Sequence, residues 1–190
     1  MENRNINKLE YFLNAVHYCM WLNQNSFQEF VHKIVFALTS TIANNILPPQ
    51  NRAKFNKQLS TGLEEWNNYR NNPQDGWNIA STNHWFGFLY SFYPCGFAFI
   101  LLGLGNRIWG NLPKGFVLLI IFGLLGVCYI PAYKAVYTKD RYLKYFRKFA
   151  KEDKHWHKKW SRITTLFCII AILSFLGGII AMAFIDPIKP

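Results

Sequence analysis

The chain has 190 residues, a formal net charge of +11 and an aromatic content of 18%. This length suits one ordinary domain, or a small extramembrane unit joined to a few membrane spans. The apolar residues are unevenly distributed, because residues 1–84 are polar and rich in Asn whereas residues 85–186 contain three long apolar runs. A single soluble domain of this size could not cover three such runs, so the composition disfavours that class and predicts a membrane protein.

The sequence contains no pattern typical of a metal site, a cofactor site or a catalytic centre. Its cysteines (Cys19, Cys95, Cys128 and Cys168) are too widely spaced for metal ligation or a disulfide framework. Glu29 and His32 form one Glu-x-x-His pair, but a di-iron bundle requires two such pairs and further glutamates. No phosphate-binding loop or nucleophile elbow occurs either. We therefore predict no metal, no cofactor and no catalytic residues.

Residues 1–84 predict a cytoplasmic unit of three helices. Apolar residues recur at helical spacing over residues 6–22. Ser26, with Glu29 three residues later, predicts a capping box that starts a second helix, which ends before two prolines at 48 and 49. A third helix is expected over residues 51–70. A fourth membrane span over residues 27–47 is a minor alternative, because Lys33 near the hydrocarbon would cost about 3 kcal/mol.

Three apolar runs in residues 85–186 predict a membrane bundle with spans at about 85–105, 115–135 and 163–185. Each run has about 20 residues, which is the length needed to cross roughly 30 Å of hydrocarbon. None has a charge at its centre, which argues against a proton-coupled transporter. The predicted fold class is therefore all-α, a polytopic membrane protein with a small N-terminal helical unit.

Small residues recur along the three spans, where they allow helices to approach closely. We expect them to pack the spans on each other or on another copy of the chain. They are Gly87, Ser91 and Cys95 on the first span, Gly123 and Gly126 on the second, and Ser174, Gly177, Gly178 and Ala181 on the third.

The distribution of basic residues predicts the orientation in the membrane. Residues 138–162 carry ten Lys or Arg against three acids, whereas residues 106–114 carry only two. Because Lys and Arg are retained on the inner side, residues 138–162 and the N-terminus are expected in the cytoplasm and the C-terminus outside. High usage of Asn, Lys, Ile and Phe fits an AT-rich genome, and we expect a bacterial inner (plasma) membrane.

Residues 138–162, the basic aromatic segment, form a cytoplasmic hairpin in which rings at helical spacing alternate with cations. The rings could pack between helices, or the segment could bind anionic lipid headgroups. Single-stranded nucleic acid is the least favoured partner. The candidate surface residues are Tyr142, Phe146, Arg147, Lys148, Phe149, Trp156, Lys158, Lys159 and Trp160.

These observations favour a non-catalytic accessory or partner-binding role in the membrane. The expected partners are anionic lipids and either another copy of the chain or a different protein. Three alternatives stay open: an immunity or defence protein acting against a toxin or with a cytoplasmic effector, a homo-oligomeric pore, and a lipid-modifying enzyme. The only candidates for such an enzyme's polar groups are His84, Tyr137, His155 and His157.

Overall fold

The computed structural model describes residues 8–185, and within this range the protein is helical and contains no strand. A short 3-10 turn, Thr138–Asp140, kinks the chain, with left-handed backbone angles at Lys139 and Asp140. The all-α prediction is confirmed. The helices are α1 (Lys8–Ile46), α2 (Pro49–Arg70), α3 (Trp77–Trp109), α4 (Lys114–Val136), α5 (Arg141–Phe149) and α6 (Lys154–Ile185).

Three segments of the described chain are long and apolar enough to cross a membrane, which confirms the predicted number. They are α3, α4 with its continuation to Phe149, and α6. The first and third of these helices begin earlier than the predicted spans, at Trp77 and Lys154. Hydropathy marks the stretch that suits hydrocarbon, whereas the backbone hydrogen bonds of a helix can continue into polar residues beyond it.

The predicted break near Ser26 is wrong, because α1 continues through this position. The Ser26 hydroxyl donates a hydrogen bond to the carbonyl oxygen of Leu22 at 3.0 Å, within the helix. A serine whose hydroxyl bonds to the carbonyl oxygen four residues earlier can lie inside a helix, so it does not mark the start of one. The polar residues around it include no Gly or Pro, so nothing interrupts the backbone. The predicted stop at the two prolines is correct, and Pro49 begins α2.

The described chain divides into two compact units. Unit 1 contains residues 8–19 and 84–185, and unit 2 contains residues 20–83. The sequence predicted a single boundary at residue 84, with all of residues 1–84 in one unit. The structure instead groups the first turns of α1 with the membrane segments. Residues 13–19 are buried in unit 1, and the contacts that bury them are described below.

In unit 1, α3 and α6 make close contact at two buried glycines, Gly96 and Gly178. A methyl group on Gly178 would lie 2.6 Å from the Cα of Gly96, and one on Gly96 would lie 2.7 Å from the carbonyl carbon of Ser174. Only glycine fits at these two positions, because the atoms in the way belong to backbone. Gly178, from the predicted small-residue face of α6, therefore packs within the chain.

The other predicted small residues have varied surroundings. A methyl group on Gly87 would lie 3.0 Å from the Tyr129 hydroxyl oxygen, whereas the Ser91 hydroxyl donates to the carbonyl oxygen of Phe88 in its own helix. Cys95 and Ala181 are half-buried. Apart from the adjacent residues and the backbone of the same helix, no described atom would lie within 4 Å of a methyl group on Gly123, Gly126 or Gly177.

In unit 2, a tight turn over residues 71–76 joins α2 to the start of α3. The Gly76 amide donates to the carbonyl oxygen of Asn72 at 2.9 Å. A methyl group on Gly76 would lie 2.5 Å from the carbonyl oxygen of Arg70 and 2.6 Å from that of Tyr69. The turn thus depends on glycine and holds Arg70 next to the beginning of α3.

Candidate functional site

The basic aromatic segment divides into a buried aromatic side and an exposed basic side along α5. The rings of Tyr142, Tyr145, Phe146 and Phe149 are at most 9% exposed. The cations between them, Lys144, Arg147 and Lys148, are exposed. The predicted spacing of rings therefore matches the helix that forms, and the charges are the part of α5 that can meet another molecule.

The rings pack against the first turns of α1. The ring centre of Tyr11 lies 5.3 Å from that of Phe149, and Tyr18 lies 5.0 Å from Phe146. Trp156 stacks on Phe149 at 4.8 Å, and its indole N–H donates to the Tyr11 hydroxyl at 3.1 Å. These rings are consequently held between α1, α5 and α6.

Trp160 joins the same cluster from the first turns of α6. Its ring lies 5.6 Å from Tyr11 and 5.9 Å from Phe12. The five rings that the sequence placed on one face thus meet in one cluster. Sequence reasoning missed the other side of this cluster. The available signal was the aromatic content of residues 11–18 themselves.

Polar contacts fix the first turns of α1 to α4 and α5. The Asn14 side-chain amide donates to the carbonyl oxygen of Ala135 at 2.9 Å. Glu10 accepts hydrogen bonds from Arg141 at 3.3 Å and from the Tyr145 hydroxyl at 3.2 Å. The ion pair is partly exposed and therefore contributes little to stability. The Asn14 hydrogen bond is buried, so it sets the position of the first turns of α1.

His17 lies at the centre of unit 1 and is fully buried. Its ring centre is 5.2 Å from that of Phe86 and 5.6 Å from that of Tyr142. Rings of Tyr137 and Phe146 complete its surroundings at 5.9 and 5.4 Å. This histidine was not among the sequence candidates, since nothing in its local sequence distinguishes it from a surface residue.

The structure places the four polar groups considered for a lipid enzyme in different surroundings. The His84 ring lies against Trp85, and that of Tyr137 lies against His17. His157 contacts Tyr18, whereas His155 is exposed on α6.

An open groove runs along the first turns of α6, where the basic aromatic segment meets the third apolar run. It has a volume of about 460 Å³. Exposed cations line one end and apolar side chains line the other. The lining residues are His155, Lys158, Lys159, Arg162, Ile163 and Leu166.

In unit 2, α1 presents a row of large apolar side chains, here called the apolar stripe. Its members recur every three or four residues and are 44–75% exposed. This spacing puts them on one helix face, and α1 is not among the described helices that are apolar enough to span a membrane. The stripe consists of Phe27, Phe30, Ile34, Leu38, Ile42 and Ile46.

Within residues 8–185, no group of three His, Cys, Asp or Glu side chains is arranged to hold a metal ion. No protein-family model, no curated protein and no solved structure matches this chain.

Proposed function

We propose that this protein is a multi-pass membrane protein with a non-catalytic, accessory role, and that it binds another protein through the apolar stripe of α1. The observation that carries the proposal is the exposure of this stripe outside the three apolar segments. Contiguous exposed apolar surface with a polar rim is typical of protein interaction sites. Glu29, His32 and Lys33 supply that rim on the same helix.

A photo-crosslinking amino acid at the stripe tests this proposal in intact membranes. With p-benzoylphenylalanine in place of Leu38, we expect a discrete adduct with a second polypeptide, because the side chain faces outward at 59% exposure. Gln58, exposed on α2 outside the stripe, is the matched control position. Mass spectrometry of the adduct separates a second copy of this chain from a different protein. Adducts with lipid alone, or equal adducts at both positions, would contradict the proposal.

We also propose that the basic aromatic segment and the first turns of α1 lie on the cytoplasmic side. The first support is the concentration of Lys and Arg, which are retained on that side. The second is a set of contacts between the two segments. The hydrogen bonds of Glu10 with α5 require residues 8–19 and the basic aromatic segment to share one side of the membrane.

Reporter fusions test this orientation. Alkaline phosphatase, which is active only outside the cytoplasm, should be silent when fused after Gly76 and active when fused after Pro190, because three spans separate these positions. A fluorescent protein that folds only in the cytoplasm should give the inverse pattern. The opposite result with both reporters would overturn the orientation.

Finally, we propose that the groove on α6 receives anionic lipid headgroups. The support is its arrangement of Lys158, Lys159 and Arg162 next to Ile163 and Leu166. Cations attract the phosphate of a lipid, and adjacent apolar side chains suit its acyl chains. Because the rings of α5 are buried, this interaction belongs to the cations of α6 and not to the rings.

A further inference from the structure

Unit 2 contains an open cleft between α1 and α2, and none of the apolar stripe residues lines it, although its α1 wall includes the polar rim of the stripe. Its volume is about 370 Å³, within the range of small-molecule sites. α1 contributes Glu29, His32, Lys33 and Phe36 to its walls, and α2 contributes Leu63 and Asn67. Asn71, the residue after α2, completes the lining. The cleft thus combines a lysine, an imidazole, two amides and a single carboxylate with two apolar side chains.

Behind this wall, the guanidinium of Arg70 is buried with fewer hydrogen-bond acceptors than it has N–H groups. The residue is only 1% exposed. Its Nε donates to the Asn71 side-chain oxygen at 3.3 Å, but Nη1 and Nη2 are buried and make no hydrogen bond. Among the described residues, no carboxylate forms an ion pair with it. Buried polar atoms are almost always paired, so these two nitrogens require an explanation.

Two further buried atoms in the cleft wall also lack a hydrogen-bond partner. They are Nδ1 of His32 and Oδ1 of Asn67. The oxygen and nitrogen of an Asn side chain are assigned from its hydrogen bonds, so Asn67 can equally present its NH₂ group there. Two atoms in the cleft wall and two guanidinium nitrogens behind it can thus act as donors and have no partner among the described residues.

The electrostatics of the cleft favour an anion. Burial lowers the pKa of Arg70, and the carboxylate of Glu29 opposes this effect. Burial and the charge of Arg70 lower the pKa of His32. Even so, an arginine remains protonated in a protein, and an unpaired buried charge is costly. A bound oxyanion would pair with it and remove that cost.

We propose that this cleft binds a phosphate-type oxyanion, held in a bidentate manner by Nη1 and Nη2 of Arg70. A guanidinium presents two parallel N–H groups that match two oxygens of such an anion. His32 and Asn67 supply further donors, and Lys33 lies at the mouth. Because the guanidinium is buried, a side-chain rotation in the wall accompanies binding, as is common at binding sites.

The test uses the full chain purified in maltoside, a detergent without phosphate. Thermal unfolding is followed as inorganic phosphate replaces chloride at constant ionic strength. We expect phosphate to raise the melting temperature of the parent. Arg70→Met should melt higher than the parent in chloride, because an unpaired buried charge is gone, and it should lose the response to phosphate.

Two exposed residues of the cleft, Glu29 and Lys33, can be substituted without changing a buried side chain. Glu29→Gln removes the competing carboxylate and should tighten phosphate binding about two- to fivefold, whereas Lys33→Gln should weaken it by about the same factor. Lys54→Gln, which removes an exposed charge of α2 outside the cleft, is the control and should leave the affinity unchanged.

A second arm identifies the source of the anion by titrating short-chain phosphatidylglycerol. A response to this lipid that requires Arg70, without a response to inorganic phosphate, assigns the site to a headgroup. An Arg70-dependent response to inorganic phosphate, without a response to the lipid, assigns the site to a soluble phosphate compound. The proposal is overturned if neither probe gives a response that depends on Arg70 or on the two cleft charges, or if Lys54→Gln alters the affinity as much as Lys33→Gln.

Discussion

Gly178→Ile should lower the stability of the protein by about 3 kcal/mol or more, the upper range for overpacking a close contact. The added side chain would meet the backbone of Gly96, which cannot rotate away as a side chain can. The loss is measured as a lower melting temperature in detergent. Gly177→Ile is the matched control, since a methyl group at this neighbouring position would meet no described atom of another helix within 4 Å.

This pair of variants also separates packing within the chain from association between copies. Gly178 contacts α3 of its own chain, so a loss of assembly in Gly178→Ile would follow from the loss of the fold. Gly177 is exposed, and self-association through this part of α6 would change the oligomeric state of Gly177→Ile without a change in melting. Equal melting temperatures for both variants would show that the contact of Gly96 with Gly178 is not required.

Phe149→Ala should destabilise unit 1 by about 3 to 5 kcal/mol, the range for removing a buried phenylalanine ring. Phe149 is 0% exposed and contacts Tyr11, Tyr145 and Trp156. Thermal unfolding measures the effect, and Phe116→Ala, at 59% exposure on α4, is the control with the same chemical change. Phe149→Ala should not alter phosphatidylglycerol binding at temperatures where it is folded.

The complementary change removes the cations of the α6 groove. Lys158→Gln with Lys159→Gln should leave the melting temperature nearly unchanged, because both side chains are exposed. It should weaken binding of phosphatidylglycerol by about 1 kcal/mol per lysine, and the parent's affinity should fall with salt. Native mass spectrometry with added lipid measures this. Loss of lipid binding in Phe149→Ala, but not in the double lysine variant, would reverse the assignment of roles.

Much of the fold could be predicted from local properties of the sequence. The three apolar segments follow from length and hydropathy, and the end of α1 follows from two prolines, which lack the N–H that a helix needs. The ring spacing in α5 predicted its buried face. Each of these features depends on residues that are close together in the chain.

The features that could not be predicted depend on pairs of residues that are far apart in the sequence. Gly178 attracted notice through its spacing on α6, but its partner Gly96 did not, since spacing within one helix does not show which residue faces it. The same holds for Asn14 and Ala135. Nothing in the local sequence distinguishes Arg70, at the end of α2, from a surface charge, and only its burial identifies it as a candidate ligand-binding group.

The contacts of residues 8–19 have a consequence for synthesis of the chain. Glu10 bonds to Arg141, and Tyr11 to Trp156, over separations of 131 and 145 residues. At about 5 to 20 residues per second, these partners leave the ribosome roughly 7 to 29 seconds after the turns that they cover. During that interval Tyr11 and Tyr18 lack the rings of α5 and α6 that pack against them. A targeting factor or chaperone therefore has a defined window in which to bind residues 8–19. Contacts between segments this far apart also slow folding, since the segments must meet before either is stabilised.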